Sequence, residues 1–327
     1  MESMYIPVLN KSASRIGLGT WAIGGWMWGG SEEAESVKTI VKAFEMGINL
    51  IDTAPVYGFG RSEEIVGKAI QEINDRDNLV LSTKCSLEWD KGKVFRNVSR
   101  QRIITEVDDS LKRLKTDYID VLFVHWPDTL VSFQETAEAM YDLFRSGKIL
   151  SIGLSNFSVE QMEEFKKAAP IHFSQPPYNL FERGIEKKDL PYCVENNIYL
   201  MTYGAICRGL LSGRMNKNTV FNGDDLRQKD PKFQEPRYKQ YLEAVGKLDG
   251  IASGYNKNVM HLAARWILQQ KVAIALWGAR HPQQLNVLND LSGWTIAKED
   301  MQKIDEVIQS SVKDPVGPEF MAPPLRK

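Results

Sequence analysis

With 41 basic and 42 acidic side chains in 327 residues, the chain has a formal net charge of -1, so no global field draws it to nucleic acid or to an anionic membrane. Hydrophobic residues at 43% and charged residues at 25% exclude intrinsic disorder and supply apolar surface for a large core. Cys85, Cys193 and Cys207 show neither disulfide-framework nor metal spacing, and no stretch has the length of a signal core or of a membrane span of about 18 apolar residues, which predicts a reducing, cytoplasmic setting.

Short β-branched apolar runs alternate with amphipathic ones almost from end to end, the pattern of parallel βα units. The strands predicted are Ser14–Leu18, Asn49–Asp52, Leu79–Thr83, Ile119–His125, Ser151–Leu154, Ile171–Ser174, Tyr199–Thr202 and Val272–Trp277. Eight strands close a barrel, so the fold class expected is α/β, a (β/α)8 TIM barrel forming one domain over residues 1–327. Helical periodicity marks Glu33–Met46, Ser62–Glu72, Arg102–Leu114, Gln134–Arg145 and Val259–Gln269, and Ser158 with Gln161 reads as a capping box. Two segments break the rhythm. Met215–Gln240 is polar and carries Pro231 and Pro236, which predicts a long loop over one barrel mouth after strand 7. The tail from Asp314 carries Pro315, Pro318, Pro323 and Pro324, so it is expected to lie extended against the surface.

Barrel proteins collect their reacting groups where strands end at the C-terminal face. There Asp52 closes one predicted strand, Lys84 follows another, His125 closes a third, and Tyr57 lies in the loop after Asp52. Taken singly, each has a structural reading as a cap, a surface lysine or a packed imidazole. Together they suit proton donation to a carbonyl receiving hydride. An adjacent ammonium is expected to bring the Tyr57 phenol down toward the working range, Asp52 to hold Lys84, and His125 to orient the substrate oxygen. The four histidines form no H-x-H or H-x-x-x-H pair, so no metal is expected, and a metal-assisted hydrolase using Asp52 and His125 is the weaker alternative. Gly17-Leu-Gly19-Thr-Trp-Ala22 satisfies G-x-G-x-x-A, but the loop IGGWMWGG follows it in place of a helix, which argues against a Rossmann phosphate site.

The strings GLGTW, LIDTAPVYGFGRSEEIVGKAI, STK, IDVLFVHWPD, GKILSIGLSNFS, QPPYNLFER and CRGLLSGR resemble the aldo-keto reductase superfamily over essentially the whole chain, and the tail DPVGPEFMAPP resembles its bacterial general-stress-type members. The resemblance implies a catalytic tetrad of Asp52, Tyr57, Lys84 and His125, with Tyr57 as acid in reduction and base in the reverse oxidation. It also implies NADPH (NADP+) lying across the barrel top. Thr20 and Trp21 would sit beside the nicotinamide, and Asp52 is counted among the cofactor-binding residues as well. Ser155, Asn156 and Gln175 suit its carboxamide, and Tyr203 offers a ring for stacking.

The run from Gly204 to Arg214, with Ala205, Arg208, Gly209, Leu210 and Ser212, would supply backbone N–H groups and positive charge to a pyrophosphate. Arg280, two residues past Gly278, would pair with a 2′-phosphate and favour NADPH over NADH, with Gln284 near the adenosine. Val287 and Leu288 depart from the Glu-Asn pair of many members, and Trp277 stands where a proline is common. Trp21, Trp89 and Trp126 are expected to line a small-molecule pocket, Trp26 and Trp28 are further candidates, and Trp266 is expected in the core. The reading is an NADPH-dependent carbonyl reductase; the alternative is a barrel that binds NADPH and regulates a partner with little turnover.

Overall fold

The computed structural model describes residues 1–326. Eight parallel strands close a barrel: strand 1 is Ile16–Gly19, strand 2 Leu50–Asp52, strand 3 Val80–Cys85, strand 4 Val121–Val124, strand 5 Ile152–Ser155, strand 6 Phe173–Gln175, strand 7 Tyr199–Thr202 and strand 8 Ile274–Gly278. Each predicted strand corresponds to one of these. Helices wrap the outside, among them Glu33–Glu45, Arg61–Ile73, Arg100–Leu114, Phe133–Arg145 and Val259–Gln269. The capping box at Ser158 and Gln161 is formed, opening the helix Val159–Lys166. None of the described helices is long and apolar enough to cross a membrane.

The apolar core has two compartments. One lies between strands and helices. The other fills the barrel itself with Leu50, Val80, Val121, Phe123, Phe173, Met201, Ile274 and Leu276. Close packing of that interior depends on small residues beside large ones. A Cβ on Gly153 would lie 2.4 Å from the Phe123 ring, and one on Gly17 would lie 2.4 Å from Leu50 Cδ2.

Three elements stand outside the sequence expectation. An antiparallel hairpin, Ser3–Ile6 paired with Lys11–Ser14, precedes the barrel and closes its bottom with Ile6, Leu9 and Ala13, so the predicted strand Ser14–Leu18 straddles two real ones. A second hairpin, Leu87–Asp90 with Lys93–Arg96, rises from the end of strand 3. The polar segment after strand 7 is a loop with two short 3-10 turns only as far as Pro236; its last residues, from Arg237, begin the helix Arg237–Ser253. Pro236 just ahead of the first turn is compatible with that start.

The tail is extended apart from a turn at Glu319–Met321, and it crosses the C-terminal face. Arg96 N–H donates to the Pro324 carbonyl at 2.9 Å, and Arg96 and Leu325 form a parallel bridge, so the tail extends the second hairpin.

Candidate active site

Three strand ends and one loop converge at the C-terminal mouth. Asp52 and Lys84 are 2% and 1% exposed, and such charges are tolerable only when fully partnered. Lys84 Nζ donates to Asp52 Oδ2 at 2.6 Å and to the Thr53 carbonyl at 2.9 Å. Asp52 Oδ1 accepts from Ser82 Oγ at 2.8 Å and from Gln175 Nε2 at 2.9 Å. The ammonium lies 5.1 Å from the centroid of the Tyr57 ring. Tyr57 stacks on Trp21 at 5.8 Å between centroids, and His125 meets its edge at 5.8 Å. The loop bearing Tyr57 fits here because Gly24 has no side chain: a Cβ there would lie 2.6 Å from the Tyr57 carbonyl.

Electrostatics here depart from the sequence expectation. Burial, then the Asp52 carboxylate, pushes the Tyr57 phenol well above its ordinary value, so the lowering expected from Lys84 does not prevail. Burial also pulls the Lys84 ammonium down, with Asp52 opposing. Burial, then Lys84, holds His125 well below its usual value, so its imidazole is neutral at neutral pH. The phenol is thus a retained proton beside a neutral imidazole.

A cavity of about 420 Å³ opens above this cluster. Around Tyr57 and His125 its wall is apolar, formed by Trp26, Val56, Leu87, Val94, Trp126, Met321 and Pro323. In the other direction a groove passes Gly19, Thr20, Ser155, Asn156, Gln175, Tyr203, Gly204, Ala205 and Gly209 to Gly278, Arg280 and Gln284. Tyr203 OH donates to Asn156 Oδ1 at 3.0 Å, and Ser155 Oγ donates to the Gln175 carbonyl at 2.8 Å. Arg227 joins Arg280 at the far end of the groove. It stacks 5.3 Å from the Trp28 ring, and its charge lowers the Arg280 pKa after burial does. Two guanidiniums facing one groove, partly offset by Asp225, suit an anionic group.

The sequence profile of the aldo/keto reductase family matches residues 15–309. The chain belongs to that family. It is 56% identical over 329 residues to aldo-keto reductase YhdN of Bacillus subtilis, covering 100% of this chain and 99% of the relative. An NADH-specific methylglyoxal reductase of Escherichia coli is 34% identical, covering 87% of this chain and 91% of its own. The structure of a glycerol dehydrogenase from Gluconobacter oxydans superimposes with a TM-score of 0.88 at 47% identity, covering 98% of this chain and 99% of that one.

Some residues expected in this reductase's groove lie elsewhere, and others border it with their side chains already engaged. Arg208 is buried and its guanidinium is taken by carboxylates, Nη2 donating to Glu182 at 2.7 Å and Nε to Asp230 at 2.5 Å. Ile206, Arg208 and Gly209 of this stretch still border the groove, the last two with positive φ. Leu210 is in the core, Arg214 is exposed, and Ser212 Oγ accepts from the Arg214 N–H; none of the three lines the groove. Trp89 packs 5.5 Å from Phe59, outside the cavity wall, where Leu87 and Val94 of its hairpin stand instead. Gln284 Oε1 accepts the Arg280 backbone N–H at 2.7 Å, and Trp266 is 1% exposed in the core, as expected. Arg227 and the tail residues Met321 and Pro323 escaped the sequence reading. A lone arginine in a polar loop and prolines in a tail carry no local sign of their partners.

Proposed function

We propose that this aldo-keto reductase catalyses the reversible, NADPH-dependent reduction of aldehydes and ketones to alcohols, with Tyr57 as the proton donor. The observation that carries the reading is the buried Lys84–Asp52 pair beneath a phenol that opens, beside a neutral His125, into an apolar cavity continuous with a cationic groove. The groove fits a dinucleotide in its donors: polar side chains at its inner end, slim backbone at Gly204, Ala205, Gly209 and Gly278 along its length, and Arg227 and Arg280 at its outer end. Bound there, the reduced nicotinamide supplies a hydride.

The chain's own residues do the rest. Trp21, Trp126 and Tyr57 confine a substrate carbonyl against the groove and exclude water. The His125 imidazole orients the carbonyl oxygen. Tyr57 donates its proton to that oxygen as negative charge develops on it, while Lys84, fixed by Asp52, stabilises the phenolate left behind. Asp52 therefore acts by holding Lys84.

Tyr57→Phe tests the proton donor. Reduction of glyceraldehyde or methylglyoxal, followed at about 340 nm, is expected to fall by at least the roughly 100-fold of lost general acid catalysis, while NADPH affinity by fluorescence titration stays near the parent's. Undiminished turnover in that variant would overturn the assignment. Arg280→Ala tests the cofactor: weaker NADPH binding with NADH little changed supports a 2′-phosphate contact, and equal losses would place that phosphate elsewhere or point to NADH.

A further inference from the structure

Ser86 follows strand 3 two residues after Lys84. It is fully buried, and its φ of 89° lies in the left-handed region that non-glycine residues enter only when their surroundings enforce it. Its polar atoms are all engaged. The N–H donates to Glu106 Oε2 at 2.9 Å, and the carbonyl accepts from Asn97 N–H at 2.8 Å. The hydroxyl oxygen accepts from the backbone N–H of His125 at 3.1 Å and of Trp126 at 3.3 Å, and it lies 3.3 Å from the Trp126 carbonyl, to which it donates.

Strand 4 ends at Val124, and the His125 N–H still reaches the Cys85 carbonyl at 3.0 Å, but Trp126 lies beyond the ladder. The Ser86 hydroxyl takes the place of the next rung. Behind it, Glu106 on the helix Arg100–Leu114 is 2% exposed, and Arg102 Nη2 donates to its Oε1 at 3.0 Å. Arg102 Nη2 also reaches the Leu87 carbonyl at 3.1 Å, so the same group fixes the base of the second hairpin. Glycine would meet the backbone requirement without strain, yet it has no hydroxyl. A serine in a glycine-like conformation, with its hydroxyl fully engaged, points to work done by the oxygen.

We propose that Ser86, held by Glu106, is a positioning residue for carbonyl reduction: its hydroxyl fixes the backbone at His125 and Trp126, and so aims the imidazole and the indole at the reacting carbonyl. The inference rests on the role given to His125 above. Displacing such groups by a fraction of an ångström lowers turnover without touching the dinucleotide groove.

The test compares Ser86→Gly with Ser86→Ala, both lacking the hydroxyl, the first free of backbone strain and the second keeping it. Both are expected to lose between about 10- and 100-fold in kcat on methylglyoxal. NADPH Kd by fluorescence should stay within about twofold of the parent's, and Ser86→Gly should melt above Ser86→Ala, because glycine relieves the positive-φ strain that alanine keeps. Parental kcat in Ser86→Gly would show that Ser86 merely shapes the turn and would overturn the proposal, as would a Kd loss equal to the kcat loss. If the parent itself shows no NADPH-dependent reduction, the reading of the site fails first. If His125→Ala lowers kcat while both Ser86 variants turn over normally, only this inference falls.

Discussion

At the scale of single residues, the site separates a proton that is kept from a proton that is refused. Tyr57's phenol is raised by burial and then by Asp52, and His125 is depressed by burial and then by Lys84. A raised phenol stays protonated to higher pH, so reduction, which uses it as the acid, keeps its donor through the neutral and mildly alkaline range. A depressed imidazole stays neutral to lower pH, so no loss from imidazolium formation is expected near its ordinary value of about 6.5. The plot of kcat/KM for carbonyl reduction against pH should therefore be flat from about 6.5 to near the ordinary tyrosine value of about 10. Oxidation of the alcohol, which needs the phenolate, should rise across the same range. An acid limb near 6.5 that disappears in His125→Gln would show that imidazolium forms in the working range and contradict this assignment.

At the scale of elements, the substrate side of the cavity is built by pieces remote in sequence. Arg96 ends the second hairpin. Its Nε donates to the Pro323 carbonyl at 2.7 Å, its Nη1 donates to the Pro127 carbonyl at 2.8 Å, and its guanidinium lies 5.3 Å from the Trp126 ring. Arg96 thus joins hairpin, tail and the loop after strand 4. Hydrogen bonds from a charged group contribute up to about 1.5–3 kcal/mol each, and this guanidinium is half-buried. Arg96→Ala should free the tail, raise KM for carbonyl substrates about tenfold, equivalent to about 1.4 kcal/mol, and leave NADPH affinity unchanged. An unchanged KM would show that the tail does not bound the substrate space.

Some of these placements are legible in the amino-acid sequence and others depend on contacts remote along the chain. Asp52, Lys84 and His125 were legible because strand periodicity places them at strand ends, and barrel geometry does the rest. The trap was Arg208. Its local surroundings suit a phosphate, but Glu182 and Asp230, 26 and 22 residues away, claim its guanidinium, and nothing in the local string reveals that pairing. Trp89 misled for a related reason. Alternation puts Leu87, Trp89 and Val94 on one face of the hairpin, so it could not tell them apart; Leu87 and Val94 line the cavity, while Trp89, nearer the hairpin tip, packs against Phe59.

At the scale of the whole molecule, chemistry gathers at one end of the barrel and structural closure at the other. The bottom is sealed by the N-terminal hairpin, whose Ile6 is fully buried against the barrel interior, and its attachment is polar at the rim: Lys11 Nζ donates to the Leu79 carbonyl at 2.9 Å and to Asp120 Oδ1 at 2.8 Å. Removing the Ile6 side chain leaves a void among close-packed neighbours that relax only in part, and large-to-small changes of this type cost about 2–5 kcal/mol. Because Ile6 packs at the end of the barrel opposite Tyr57, Ile6→Ala should lower the unfolding free energy in urea by about that amount while kcat and KM measured well below the melting temperature stay within about twofold of the parent's. A large loss of kcat in a variant still folded under assay conditions would show that the interior layers transmit packing changes upward to the Asp52–Lys84 pair, and the separation of stability from chemistry along the barrel axis would not hold.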